Sequence, residues 1–380
     1  MPSVRIERRL RQPRWLTFVV PLGSLAAAVL VMSVVLLATG HSPVDTFRKI
    51  VEAGFTGNQA LSATLISATP ILFTGLAAAA AFRMELFNIG AEGQLYLGAV
   101  GAAWIALQLD DHGAGWTPLF VVSMCVAAGV LGALWALIPG VLKAFANTNE
   151  IITSLMLNYV AGLLLTYLIF DSASYWRDTS TLQARAFPQG KPMPSAAEWP
   201  SFGSTVVVPL GFLIGIATAI VLWALYSRTR FGFEVRVIAD SHRAARYAGM
   251  RTRRKILAVM AISGAVAGIG GASQVAEFSH TLDGSPQGLQ AAAFGYTGIV
   301  VAALARYNPI AVVLVAVLIG GLLNAGFTLQ GADFPSGLVG VMQGIILFCA
   351  LGGELLIRYR LTFRRRVRHA DAGTAPEAAA

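Results

Sequence analysis

From Tyr307 to Ala332 the chain reads YNPIAVVLVAVLIGGLLNAGFTLQGA, and no acidic, lysine or arginine side chain interrupts it. A helix crossing a hydrocarbon core of about 30 Å needs roughly 20 apolar residues, so this stretch is long enough to span a bilayer. It is one of ten such windows, at 15–44, 53–82, 93–109, 112–142, 151–170, 199–227, 256–276, 284–305, 307–332 and 334–353. Of the 380 residues, 56% are hydrophobic and only 12% charged, and mean hydropathy is +0.66. That balance excludes a soluble globule with a charged surface, because such a chain requires lipid as its solvent. The expected fold class is all-α and integral to the membrane, with about ten transmembrane helices.

The net charge of +9 would suit nucleic acid, but the basic residues sort by membrane side instead. With the N-terminus inside and all ten windows crossing, only Arg48, Lys49, Arg177, Arg185 and Lys191 fall outside. This is the bias of the positive-inside rule. Removing or adding one span would put either the basic loop Arg228–Lys255 or the C-terminal arginines from Arg358 on the wrong side. The chain therefore divides into a basic cytoplasmic N-terminus (1–14), a polytopic domain (15–357) and a cytoplasmic tail (358–380) whose residues after Ala370 read as disordered. Both chain ends are expected in the cytoplasm. A cleaved signal peptide is the other reading of the first window. Cys125 and Cys349 lie in apolar windows and read as packing residues, with no disulfide or metal site implied.

Between the spans, Val44–Phe55 reads as a short helix in the outer interface, and Pro70 predicts a kink or local break in the second span. The outer segment 171–203 reads either as a docking surface for an external partner or as a plain connection. The inner loop 227–255 holds a polar helical stretch, Asp240 to Gly249, with Ala244, Ala245 and Ala248 on one side. It is either an approach surface for another protein or a solvated basic loop beside anionic lipid. Spans 2–5 and 7–10 start from opposite sides, so the two halves read as an inverted repeat.

Polar side chains within apolar windows are costly unless they face protein, water or a ligand. The third window is short, and extending it back to Asn88 makes Glu92 an ionisable group near one end of a span or a helix cap. Asn88 and Glu92 then lie one helical turn apart on a shared face, with Gln94 off that face. Asn158 and Tyr159 fall in the fifth span, Gln274 in the seventh, Phe294 and Tyr296 in the eighth and Asn324 in the ninth. Singly each is either interhelical hydrogen bonding or a solute contact. As a set, dominated by amides and hydroxyls, they suggest a route for a neutral, hydrogen-bonding solute. Phe294, Tyr296 and Tyr159 either stack on a planar ring or pack. A phosphate-binding loop is absent: only Lys191 of the four lysines follows a glycine, and Arg185 and Pro192 occupy positions the motif needs. Any ATP hydrolysis must belong to a partner.

The run Phe87-Asn88-Ile89-Gly90-Ala91-Glu92-Gly93-Gln94, then Asn149-Glu150-Ile151-Ile152 leading to Met156-Leu157-Asn158-Tyr159, resembles permeases of the ribose/branched-chain amino-acid type of ABC importer, in particular the nucleoside-transport branch. Arg243 to Met250 is similar to that family's cytoplasmic coupling segment, and Gly295 to Ala302 with Pro309 to its second-half signature. The resemblance spans roughly residues 55–355. Where relatives commonly carry Gly and Asn before the coupling helix, this chain has Ala239-Asp240-Ser241.

The resemblance implies a non-enzymatic permease in a bacterial cytoplasmic membrane, working with an ABC ATPase that holds the ATP and Mg. It also implies a second permease, paralogous or identical, and a periplasmic or lipoprotein solute-binding protein. Arg236, Asp240, Ala244, Ala245, Arg246, Gly249 and Met250 would couple to the ATPase. The expected cargo is a nucleoside. The alternatives are a simple sugar such as ribose, an ion-coupled carrier using Glu92, or a membrane scaffold without cargo.

Overall fold

A computed structural model describes residues 3–8, 16–108, 117–285, 289–290, 292–329 and 337–364. In chain order the elements are β1 (Ser3–Arg8), α1 (Leu16–Ala38), α2 (Pro43–Val51), α3 (Ala60–Phe82), α4 (Ala91–Gln108), α5 (Thr117–Ala146), α6 (Glu150–Thr166), α7 (Leu182–Ala186), β2 (Ser201–Phe202) and β3 (Val208–Pro209). They continue with α8 (Leu210–Arg228), α9 (Arg230–Asp240), α10 (His242–Tyr247), α11 (Thr252–Ser273), α12 (Phe294–Leu304), α13 (Pro309–Thr328), α14 (Gly337–Arg358) and β4 (Tyr359–Arg364). Wider π turns extend α2 over Glu52–Thr56, α6 over Tyr167–Asp171 and α11 over Gln274–Ser279. Two compact units result, one of residues 1–39 with 344–380 and one of residues 40–343.

In the first unit β1 and β4 form an antiparallel ribbon, with Ser3 opposite Arg364 and Glu7 opposite Arg360. Neither strand was expected from a chain read as all-α. The tail after Ala370 lies outside the described residues.

The second unit is a helix bundle built around α3, which is buried through most of its length. Its partners follow a pattern: α3 packs along α13 and α12, while α11 packs along α5 and α4. Exchanging α3 for α11, α4 for α12 and α5 for α13 maps one set of contacts onto the other. This is how an inverted repeat packs. Where α4, α5 and α11 meet, a Cβ on Gly98 would collide with the backbone of Gly268, and one on Gly132 with that of Gly264. Small residues let these backbones approach, and close van der Waals packing replaces the hydrophobic drive that lipid does not supply.

Each apolar window carries a helix, yet the count of ten crossings does not follow. Six described helices are long and apolar enough to span, or seven if α1 and α2 are counted as one broken span. The eighth window yields only α12, whose 11 residues reach about 16 Å. Its helix starts inside the protein, at Ala293 in the left-handed region (φ 49°). Pro70 does not break α3, which continues across it although proline brings no N–H to the ladder. Packing against α11, α12 and α13 holds the helix, and the Thr74 hydroxyl donates to the Pro70 carbonyl at 3.0 Å.

One end of the unit collects basic residues. Lys143 pairs with Glu150 at 2.9 Å, Lys255 with Glu234 at 2.7 Å, and Arg253 lies over the Phe145 ring. The connection over 172–209 is held to the bundle by hydrogen bonds to α4 and to the chain after α11. Trp176 Nε1 donates to the Val100 carbonyl at 3.2 Å, Met193 N to His280 O at 2.9 Å, and Trp199 N to Ala276 O at 3.2 Å.

Candidate functional site

The polar residues singled out from sequence separate in space into a closed knot and an open cavity. The knot forms where the chain enters α4. The shared helical face of Asn88 and Glu92 does not exist, because the helix begins only at Ala91 and Asn88 sits in irregular chain before it. Asn88 Oδ1 accepts from Gly90 N at 3.0 Å, a local side-chain bond that competes with helix formation. Its partner is Gln94 instead. Asn88 Nδ2 donates to Gln94 Oε1 at 3.1 Å and to Ser263 Oγ at 2.9 Å, and Gln94 Nε2 returns a bond to Asn88 Oδ1 at 3.0 Å. Ser263 Oγ donates in turn to the Ala77 carbonyl of α3 at 2.8 Å.

The backbone freed by this break is satisfied from α6. Asn158 Oδ1 accepts from Gly93 N at 2.9 Å, Asn158 Nδ2 donates to Ile89 O at 2.8 Å, and Ser154 Oγ accepts from Ile89 N at 3.2 Å. Irregular backbone deep in a bundle survives only when its N–H and C=O groups find such partners. Glu92 has a related task. Its carboxylate accepts from Tyr96 Oη at 2.6 Å and from Gly295 N in the first turn of α12. The N-cap of α12, Ala293, provides no side-chain bond. The acid thus caps a helix other than its own, where a negative charge is favourable. Glu277 does the same for α8, its Oε1 accepting from Gly211 N at 2.6 Å.

The cavity, of about 400 Å³, lies between α3, α12, α13 and the π turn after α11. It is lined by Gln274, Phe294 and Asn324 from the sequence reading, together with Ser67, Asp283, Phe278 and Phe327. A second cavity of about 350 Å³, lined by Lys49, Glu52, Asn58, Gln59 and Thr328 among others, shares Ala63 and Asn324 with it. Asn324 is pinned at this junction, its Nδ2 donating to Ala53 O at 3.1 Å and Ala60 O at 3.3 Å.

Tyr159 and Tyr296 join neither group fully. Tyr159 is 62% exposed and does not line the 400 Å³ cavity. Tyr296 is partly exposed, and its hydroxyl accepts from Asn158 Nδ2 at 3.3 Å.

The stretch 229–250, expected from sequence to couple to an ATPase, is a pair of capped helices. Thr229 Oγ1 accepts from Gly232 N at the start of α9, and Ser241 Oγ from Ala244 N at the start of α10. Helix α10 ends with Gly249 at φ +72°, where Gly249 N donates to Arg246 O and Met250 N to Ala245 O, each at 3.0 Å. That is the Schellman stop, which favours glycine at its left-handed position. The alanines do not share one outer side: Ala245 is fully buried against the chain, whereas Ala244 and Ala248 are exposed. Arg236, Asp240 and Arg246 are exposed and Met250 is half-buried.

Sequence reasoning missed several members. Tyr96 and Ser154 stand four residues from Glu92 and Asn158, a helical spacing that could have found them. Ser263 lies 175 residues from Asn88, with no local signal. Tyr247, 94% exposed on α10, is a bare aromatic on a polar helix.

Residues 60–351 match the family model described as the branched-chain amino acid transport system / permease component. A glucose ABC transporter permease of Haloferax volcanii is 32% identical over 97% of each chain. A guanosine ABC transporter permease of Bacillus subtilis is 30% identical, over 86% of this chain and 91% of its own length. A nucleoside ABC transporter permease of Lactococcus lactis subsp. cremoris is 26% identical, over 93% and 95% respectively. With most of its length matched, the chain belongs to the family of ABC transporter permeases of the branched-chain amino acid transport system type.

Proposed function

We propose that this permease carries a nucleoside inward across a bacterial cytoplasmic membrane as one half of a two-permease channel, with both chain ends in the cytoplasm. The observation that carries the cargo assignment is the 400 Å³ cavity, a size suited to a small molecule. Among the described residues its walls are phenylalanines, aliphatic side chains, amides and two serines, with Asp283 the one acidic lining residue and no basic one. Such a lining favours a neutral solute with a flat apolar face and a hydrogen-bonding edge. Likeness to permeases named for guanosine and nucleosides supports the same class. A sugar is the second reading, favoured by the glucose permease match, although so apolar a wall leaves most sugar hydroxyls without partners.

In this reading the other parts are supplied by partners. An ABC ATPase, which holds ATP and Mg, docks on α9 and α10 at the exposed Arg236, Asp240, Ala244, Arg246 and Tyr247. A solute-binding protein delivers cargo at the Ser172–Pro209 side, and the second permease, paralogous or identical, completes the path. Glu92 acts as a cap for α12 and not as a proton carrier, since its carboxylate is engaged by Tyr96 and Gly295.

Uptake of tritiated guanosine and, separately, of labelled ribose is measured in cells making the chain with its ATPase and binding protein. Guanosine uptake that vanishes with a catalytically dead ATPase is the expected result. Uptake of ribose alone overturns the nucleoside assignment, and uptake that survives the dead ATPase overturns the ATP coupling.

A further inference from the structure

We infer that Gln274 is the residue that reads the edge of a heteroaromatic base, with Phe294 and the mouth phenylalanines Phe278 and Phe327 holding its face. The inference rests on the nucleoside reading above and names the contact within it. Gln274 is only 7% exposed and lines the 400 Å³ cavity. Among the described residues its side-chain amide has no hydrogen bond, whereas Asn88, Gln94, Asn158, Gln290 and Asn324 all do. The side chain is mostly covered but lines the cavity, so water or a ligand in that cavity completes its amide.

The position of this amide follows from its backbone. Gln274 opens the π turn Gln274–Ser279, and the Ser279 hydroxyl donates to the Gln274 carbonyl at 3.3 Å. Single π turns within helices frequently mark functional sites. A carboxamide presents one acceptor and two donors in a plane, which matches the adjacent donor and acceptor on a base edge. Phe294 is buried in the wall, while Phe278 and Phe327 are more than 60% exposed. Their rings provide faces on which bases stack regardless of sequence. Asp283 lines the same cavity, its Oδ1 accepting from Ser285 N at 2.8 Å, and among the described residues its other oxygen has no hydrogen bond and can accept from a ribose hydroxyl.

The test is equilibrium binding of tritiated guanosine and tritiated uridine to the permease–ATPase complex in lipid nanodiscs, without the binding protein, beside uptake by the full system. Gln274→Leu is expected to weaken guanosine binding about tenfold or more, as loss of one buried polar contact does. Gln274→Glu exchanges a donor for an acceptor and is expected to change the guanosine-to-uridine Kd ratio by about fivefold or more, a shift that a merely structural residue would not produce. Should Gln274→Leu fail to assemble, Gln274→Glu and Gln274→Asn carry the same comparison. Wild-type guanosine uptake with Kd values and base preference within twofold across the Gln274 variants overturns this inference and leaves the nucleoside reading standing. Uptake of ribose or glucose without any nucleoside overturns both.

Discussion

Two regions of this bundle bury side-chain amides, and they use them in opposite ways. At the entry to α4, Asn88 and Gln94 bond to each other, Asn88 bonds to Ser263, and Asn158 bonds to the backbone of Ile89 and Gly93. Beside the π turn, Gln274 faces a cavity with no bond from the described protein. Residue type and depth are alike in both places. What separates them is whether the polar groups are already satisfied, so a buried amide signals a ligand only where the fold has not supplied its partner.

That contrast is tested by making the same kind of substitution in both places. Asn158→Leu strands Ile89 O and Gly93 N in the bundle, and at about 1–3 kcal/mol for each orphaned group the loss of stability is large. A fall in thermal unfolding midpoint and in folded yield from detergent checks it; an unchanged midpoint breaks the distinction. Gln274→Leu removes no protein bond, so its unfolding free energy is expected to stay within about 1 kcal/mol while guanosine binding weakens.

The exposed end of α10 gives a further contrast with the buried knot. Tyr247→Ala is expected to leave the midpoint unchanged and to weaken ATPase association by about 2 kcal/mol, as loss of an aromatic anchor does. Co-purification of the two subunits across a dilution series reads this directly. Glu92→Gln gives the smallest effect. An amide oxygen still accepts from Gly295 N but the charge at the α12 N-terminus is gone, at about 1 kcal/mol. ATP-driven uptake that persists in this variant agrees with a capping role, and loss of a pH-driven component sinks it.

Much of this was legible in the chain before its fold. The all-α class and a helix in each apolar window follow from the uninterrupted runs, whereas the number of full crossings does not, since the eighth window yields only the 11-residue α12. The Phe87–Gln94 motif was legible as a special place, but its reading as helix placed Asn88 with Glu92. A local side-chain bond to Gly90 N ends the helix at Ala91 and pairs Asn88 with Gln94. Propensity and spacing could not weigh that bond, nor could they supply Ser263 from a helix 175 residues away.

By itself, then, the sequence determined a polytopic helical protein, its expected orientation and the set of polar residues worth attention, because apolar length and charge position are local properties of the chain. Only the tertiary structure decided which of those residues are structural and which face open space. The physical reason is that a hydrogen bond is satisfied or left open by partners distant in sequence, as Asn158 is by Ile89 and Gly93 and Gln274 is not.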